Sequence, residues 1–298
     1  MQRRTFLASS LALPALPAFL RAGLIGADTP FPIGYASITW GGDDETAIRE
    51  IAALGYRGIQ LRAAPGTLVE RWRDEPDRLR ALLAEHALTF VALSSGVLAL
   101  DPAREAESLA QHTRNAELAA RAGCLFVQVV DERPRGREVT AADHARMGGL
   151  LTTLGRRFQD LGVRLGYHNH MGNLGQSPGE VAAILDAADP AVVALELDTA
   201  HWRAAGGDPV QAIRQYRDRL SYLHLKDVEF GTDGRPYRFR ELGQGVIDFP
   251  AVLAALREIA FTGWGIVELD SPTAPDRSPK DSAQMSRAFL TAHGHPLR

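Results

Sequence analysis

The chain has 298 residues, of which 45% are hydrophobic and 23% charged, enough for one large α/β domain with its own core. Its formal net charge of −3 excludes the broad basic footprint of a nucleic-acid-binding surface. One cysteine, Cys124, permits no internal disulfide. Its place at the head of the apolar run 125–130 points to buried packing rather than thiol chemistry.

The chain opens with Arg3-Arg4-Thr5-Phe6-Leu7, followed by an apolar stretch over residues 8–20 that Arg21 ends. That stretch is too short for a comfortable membrane span. A twin arginine followed by x-Phe-Leu resembles a Tat export signal. The expected organisation is therefore a signal segment over residues 1–27, recognised by the Tat machinery, and one domain over residues 28–298. Ala27 suits a cleavage site, although Ile25 is a poor residue two positions before it. An uncleaved or amphipathic anchor is the alternative. Export would leave the protein in the periplasm or otherwise outside the cytoplasm. No other segment is apolar enough to span a membrane.

From residue 31 onward, short β-like runs alternate with amphipathic helical patterns. The strands are expected at 33–39, 58–62, 89–94, 125–130, 164–168, 192–198, 222–226 and 265–269. The helices are expected at 44–54, around 79–83, and at 105–122, 141–161, 178–187, 209–216, 250–259 and 282–292. Ser177-Pro178, Asp208-Pro209 and Asp248-Phe249-Pro250 each place a capping side chain before a helix-opening proline. Eight strand–helix units in a chain of this length imply a single (β/α)8 TIM barrel. A doubly wound open sheet would carry a Gly-rich phosphate turn after its first strand. Here that position reads Thr39-Trp-Gly-Gly-Asp-Asp44, which is not that turn.

The last four strands share one property. Each ends in a side chain able to bind a metal: His168, Asp198, His224 and Glu268. In parallel strands all four emerge at the C-terminal rim, where barrel active sites lie. Two imidazoles and two carboxylates there would hold a divalent cation. Alone, each has a commoner explanation: a strand histidine is usually a satisfied core or surface residue, a strand-end aspartate usually a helix cap. The fourfold repetition is what favours metal. Strand alternation places His170 above His168 and Lys226 above His224, both toward substrate. His201 could reach substrate from the loop after Asp198, and Trp40 and Trp202 could stack on a sugar face. Arg62 could clamp a substrate oxygen or neutralise a carboxylate. Lys226 could touch substrate or pair with Asp227. Glu196 shares a face with Asp198, and ligand, base and structural roles are all open to it. The Gly-containing segment 229–245, with Arg238, Arg240 and Glu241, reads as a mobile lid or a passive insertion.

Five segments together resemble a known family: Ile33-Gly-Tyr-Ala-Ser-Ile-Thr-Trp40, Tyr167-His-Asn-His-Met-Gly172, Leu197-Asp-Thr-Ala-His201, Leu223-His-Leu-Lys-Asp-Val228 and Gly263-Trp-Gly-Ile-Val-Glu268. They are similar to the xylose isomerase-like barrels, also called the sugar phosphate isomerase/epimerase family, over residues 31 to 290. Within it, His-x-His-Met-Gly, Asp-Thr-x-His and His-x-Lys-Asp-Val look most like inosose dehydratases and related keto-sugar enzymes. The resemblance implies a metal set of Glu, Asp, His and Glu from strands five to eight, which carries over to His168, Asp198, His224 and Glu268. His168 departs from the glutamate of the epimerases, leaving Glu268 alone of their acid/base pair.

The resemblance also implies one divalent metal, Mn²⁺ first, with Co²⁺, Zn²⁺, Fe²⁺ or Mg²⁺ as substitutes. The expected activity is α-proton abstraction from a keto-polyol or keto-sugar through an enediolate, followed by loss of water or a glycosidic oxygen. Glu268 is the expected base, with His201 or His170 as assisting acid and Lys226 as a further catalytic candidate. Ketose isomerisation or epimerisation is the second reading, and a non-catalytic exported sugar-binding protein the third. An endonuclease IV-like DNA-cutting role is set aside on charge and export. The expected partner is a small sugar or cyclitol; a homo-oligomer is compatible with the sequence.

Overall fold

A computed structural model of the protein describes residues 31–231 and 236–297. Eight parallel strands close into a barrel: β1 (Ile33–Ala36), β2 (Gly58–Arg62), β3 (Thr89–Leu98), β4 (Phe126–Asp131), β5 (Arg164–His168), β6 (Val193–Asp198), β7 (Leu220–Leu225) and β10 (Trp264–Val267). All eight expected strands are present. Each pairs with its chain neighbour, and β10 closes the ring by pairing with both β7 and β1. The register sets His168 opposite Glu196 and Asp198 opposite His224.

The helices are α1 (Asp44–Ala53), α2 (Leu68–Arg71), α3 (Pro76–Glu85), α4 (Glu105–Arg121), α5 (Ala141–Asp160), α6 (Pro178–Asp186), α7 (Thr199–Ala204), α8 (Pro209–Gln215), α9 (Phe249–Glu258) and α10 (Pro279–Ala292). Three proline-opened starts have the capping chemistry their sequences suggested. Ser177 and Glu180 form a reciprocal capping box on α6, Asp208 caps α8, and Asp248 caps α9. The core has two parts. Side chains such as Leu195, Leu197, Leu223 and Leu225 belong to the large cluster. Ala36, Val91, Ala92, Phe126, Tyr222 and Ile266 form a second, smaller one. On β4 and β7, Phe126 and Tyr222 alternate with Gln128 and His224. One face of each strand therefore turns from apolar to polar toward its C-terminal end.

Two features differ from expectation. The segment after Asp198 is not a loop but helix α7. The segment after β7 folds into an antiparallel hairpin, β8 (Asp227–Phe230) with β9 (Tyr237–Arg240); its tip, residues 232–235, lies outside the described residues. The hairpin is tied down rather than loose. Asp227 accepts hydrogen bonds from the backbone N–H groups of Val228, Gly243, Gly245 and Ile247. A Cβ on Gly245 would lie 2.4 Å from Asp227 Oδ1, so this glycine serves close approach rather than hinge motion. No helix among the described residues is long and apolar enough to cross a membrane. Residues 1–27, the expected export signal, lie outside the described residues.

Candidate metal and catalytic centre

The strand ends bring a dense set of donors together. One ligand atom each of His168, Asp198 and His224 lies within 4.8 Å of the other two. His224 Nδ1 is 2.6 Å from Glu268 Oε2 and 3.5 Å from Asp198 Oδ2. His224 is fully buried and His168 and Glu268 nearly so. His168 Nδ1, Asp198 Oδ2 and His224 Nδ1 are all buried without a hydrogen-bond partner. Buried donors and acceptors are normally paired, so a group of orphans facing one another suits a cation. Two nitrogens and two carboxylates at these positions fit a divalent transition metal better than calcium.

Neighbouring groups hold these side chains in place. Gln60 Oε1 accepts from His224 Nε2 at 2.9 Å, which leaves Nδ1 facing the carboxylates. Asn169, directly after His168, spans to β6: its Oδ1 accepts from the Asp198 N–H and its Nδ2 donates to the Asp198 carbonyl. Asp198 has a second task, since its Oδ1 caps α7 through the His201 N–H at 2.7 Å. Gln60, Gln128 and Asn169 were missed in the sequence. A glutamine alternating with Ile and Leu in Gly58-Ile-Gln60-Leu was a readable signal, because a lone polar residue at an inward position needs a partner.

Electrostatics follow from this crowding. Burial works against a charged His224 ring, but Glu196, Glu268 and Asp198 outweigh it and hold its pKa well above the ordinary value. Burial would raise Glu268, yet His224 and Lys226 pull its carboxyl well below the usual range. Lys226 is likewise held protonated by Glu268 and Asp270 against the cost of burial. Its Nζ is 2.7 Å from Asp270 Oδ1 and 3.5 Å from Glu268 Oε2. Its partners are therefore these two, while Asp227 is occupied by the hairpin. Burial pushes the pKa values of both His170 and His201 down.

Beside the cluster lies a cavity of about 320 Å³, whose lining includes Arg62, His168, His170, Lys226, Glu268 and Asp270. It is large enough for a monosaccharide-sized ligand. A larger groove of about 500 Å³ lies over the loops after β3 and β4. Three of its five lining arginines, Arg104, Arg137 and Arg146, are paired with Glu132, Asp143 and Glu105, and the candidate metal-donor cluster is elsewhere.

Some candidate residues are not at the cavity. His201 does not line it, although one of its ring nitrogens lies within 4.8 Å of a ring nitrogen of His168 and of His170; its ring is 3.9 Å from that of His170 and 4.9 Å from that of Phe239. Trp202 is buried edge-on to Tyr216, and Trp40 is buried against Tyr35 with its Nε1 bonded to Glu50. Neither tryptophan lines this cavity, so sugar stacking by them has no support here. Helix α7 explains the first: about 100° of turn separates successive residues, so His201 and Trp202 face different ways.

The profile of the xylose isomerase-like TIM barrel matches residues 48–293. The chain belongs to that family. It is 29% identical over 304 residues to the inosose dehydratase of Geobacillus kaustophilus (strain HTA426), covering 90% of this chain and 96% of that one. It is 27% identical to the inosose dehydratase of Lacticaseibacillus casei, covering 87% and 96%. Among solved structures, the IOLI protein with a bound zinc atom superposes with a TM-score of 0.73 at 21% identity, over 89% of this chain and 98% of that one. L-ribulose 3-epimerase superposes with a TM-score of 0.73 at 20% identity, over 88% and 94%. These structural likenesses establish the barrel fold.

Proposed function

We propose that the protein is a divalent-metal-dependent carbon–oxygen lyase acting on a keto-polyol or keto-sugar. The observation that carries this reading is the meeting of His168, Asp198 and His224 ligand atoms within 4.8 Å, against a cavity also lined by Lys226 and Glu268. The full-length similarity to inosose dehydratases supports the substrate class. A cation held by His168, Asp198, His224 and Glu268 would polarise the substrate carbonyl and acidify the neighbouring C–H. Mn²⁺ is the first choice, and the zinc seen with the IOLI protein keeps Zn²⁺ close behind.

Glu268 takes the proton from the carbon beside the carbonyl. A C=C bond forms, the β C–O bond breaks, and the Glu268 carboxylic acid returns the proton to the departing oxygen. One carboxyl group thus serves both half-steps, which suits a rim where β5 ends in His168 rather than a second glutamate. The Lys226 ammonium, fixed between Glu268 and Asp270, faces the oxygen on which negative charge develops. Arg62, also at the cavity, binds substrate hydroxyls. His170 presents an unprotonated Nε2, because its Nδ1–H donates to the Met171 carbonyl at 2.7 Å. It is an acceptor for a substrate hydroxyl. Ketose isomerisation or epimerisation is the second reading, since the same proton abstraction opens it. The Arg3-Arg4 segment supports a periplasmic or otherwise exported location.

Incubation of metal-loaded protein with inososes, 3-keto-glycosides and ketoses, followed by product mass and solvent deuterium content, tests the proposal. Loss of water or alcohol with formation of C=C is expected. Isomers of unchanged mass would move the assignment to the second reading, and binding without turnover would make the protein a sugar binder. Glu268→Gln should lower kcat by about 10²- to 10⁴-fold while the variant still binds substrate. Wild-type deuterium exchange in that variant would shift the base to His170.

A further inference from the structure

Below the rim lies a fifth donor. Glu196 precedes Asp198 by two residues on β6, so the two side chains share the inward face, and Glu196 is fully buried. Its Oε2 accepts from Gln128 Nε2 at 2.8 Å and lies 3.0 Å from His168 Nδ1. Its Oε1 lies 3.1 Å from His224 Nδ1 and has no hydrogen-bond partner. A buried carboxylate left partly unsatisfied is costly. Here its free oxygen faces atoms that are themselves orphaned.

The spacing is informative. Donors about 2.1 Å from a central ion and at right angles to one another lie about 3.0 Å apart. The four measured separations are 3.0 Å for His168–Glu196, 3.1 Å for His224–Glu196, 3.5 Å for His224–Asp198 and 2.6 Å for His224–Glu268. They scatter about that edge length.

We propose that Glu196 is itself a metal ligand, making an inner set of two imidazoles and three carboxylates with His168, Asp198, His224 and Glu268. The inference rests on the metal-site reading above. A third carboxylate deepens the site's preference for a hard or borderline ion such as Mn²⁺ or Co²⁺. With five of six positions taken, such a set would leave one for a substrate oxygen from the adjoining cavity. Gln128 orients Glu196 as a second-layer partner orients a ligand.

The test uses the full-length protein stripped with chelator and titrated with Co²⁺, read by visible absorption and calorimetry. Wild type should take up one Co²⁺ per chain with the weak bands of five- or six-fold coordination. Glu196→Gln keeps the side-chain size and should weaken Co²⁺ binding by about 100-fold or more, beyond the 10- to 100-fold typical of outer-layer partners. Its bands should also change. Binding within about twofold of wild type with unchanged bands would overturn the inference, leaving Glu196 as a brace for the two imidazoles. Should Glu196→Gln fail to fold by circular dichroism, a Co²⁺-soaked wild-type crystal decides: a Glu196 oxygen within about 2.4 Å of the ion supports the assignment, and a longer distance overturns it. Absence of any Co²⁺ uptake by wild type would instead sink the metal-site reading itself.

Discussion

Asp198 shows how one side chain can carry two separable duties. Oδ1 caps α7 at 2.7 Å, while Oδ2 is buried among the ligand atoms without a partner. Asparagine is as good a helix cap as aspartate but a far poorer metal ligand. Asp198→Asn should therefore lose most metal affinity while keeping stability within about 1 kcal/mol of wild type. Asp198→Ala should lose both the metal and about 1 kcal/mol or more of cap energy. Urea denaturation of the metal-free proteins, set beside Co²⁺ titration, checks the split. If Asn and Ala variants are equally destabilised, the cap contributes nothing. His168, Asp198, His224 and Glu268 were readable because each closes a β-patterned run. Asn169 was not: alternation places it away from the site, but β5 ends at His168 and the chain then turns the amide onto the Asp198 backbone.

At the scale of elements, the hairpin after β7 is the main departure. Glycines at 231, 234, 243 and 245 left a mobile lid and a passive insertion equally open, and the residues flanking the hairpin are anchors. Glu241 accepts from Thr273 Oγ1 at 2.6 Å, Arg277 Nη1 at 2.7 Å and Ser282 Oγ at 2.9 Å, joining the end of β9 to the start of α10. Burial works against its charge, but the Thr273, Arg277 and Ser282 donors outweigh it and bring its pKa down to about 2. A carboxyl depressed on folding stabilises the protein above its unfolded pKa, and that stabilisation disappears as pH falls through the folded one. Glu241→Gln should cost about 2 kcal/mol at pH 7, and the gap from wild type should narrow between pH 4.5 and 2. A gap independent of pH in denaturant titrations would show that the charge is not what anchors the hairpin. Phe239 on β9 lies over the Lys226 ammonium at 4.0 Å and against His201, so this anchoring also secures part of the site wall.

For the whole molecule, the barrel order makes the active rim a product of strands distant in sequence. His224 and Gln60 are bonded although 164 residues apart. The N-terminal segment belongs to the same scale, because the export we propose for it would carry the folded barrel out of the cytoplasm. Lysine at both Arg3 and Arg4 preserves charge while removing the twin-arginine feature. Cell fractionation should then find the protein retained inside the cytoplasm; unchanged export would reject the Tat assignment.

Periodicity and punctuation along the chain were sufficient for the eight strands and the capped helix starts, and they singled out the four candidate donors at the rim. Each rests on local spacing: period-2 runs, a side chain before a proline, a donor at a strand's end. Other features needed three dimensions, because they depend on which atoms meet across strands. Glu196, open in the sequence to ligand, base or structural roles, gained specific neighbours only when the register set it opposite His168, and Gln60 and Gln128 gained partners only across the closed barrel. Trp202 and His201 parted company because α7 rotates one residue away from the next. The separation is physical: backbone geometry repeats every two or 3.6 residues and can be read along the chain. Hydrogen bonding and ion binding act over about 3 Å in space, between residues whose sequence distance has no bearing on their approach.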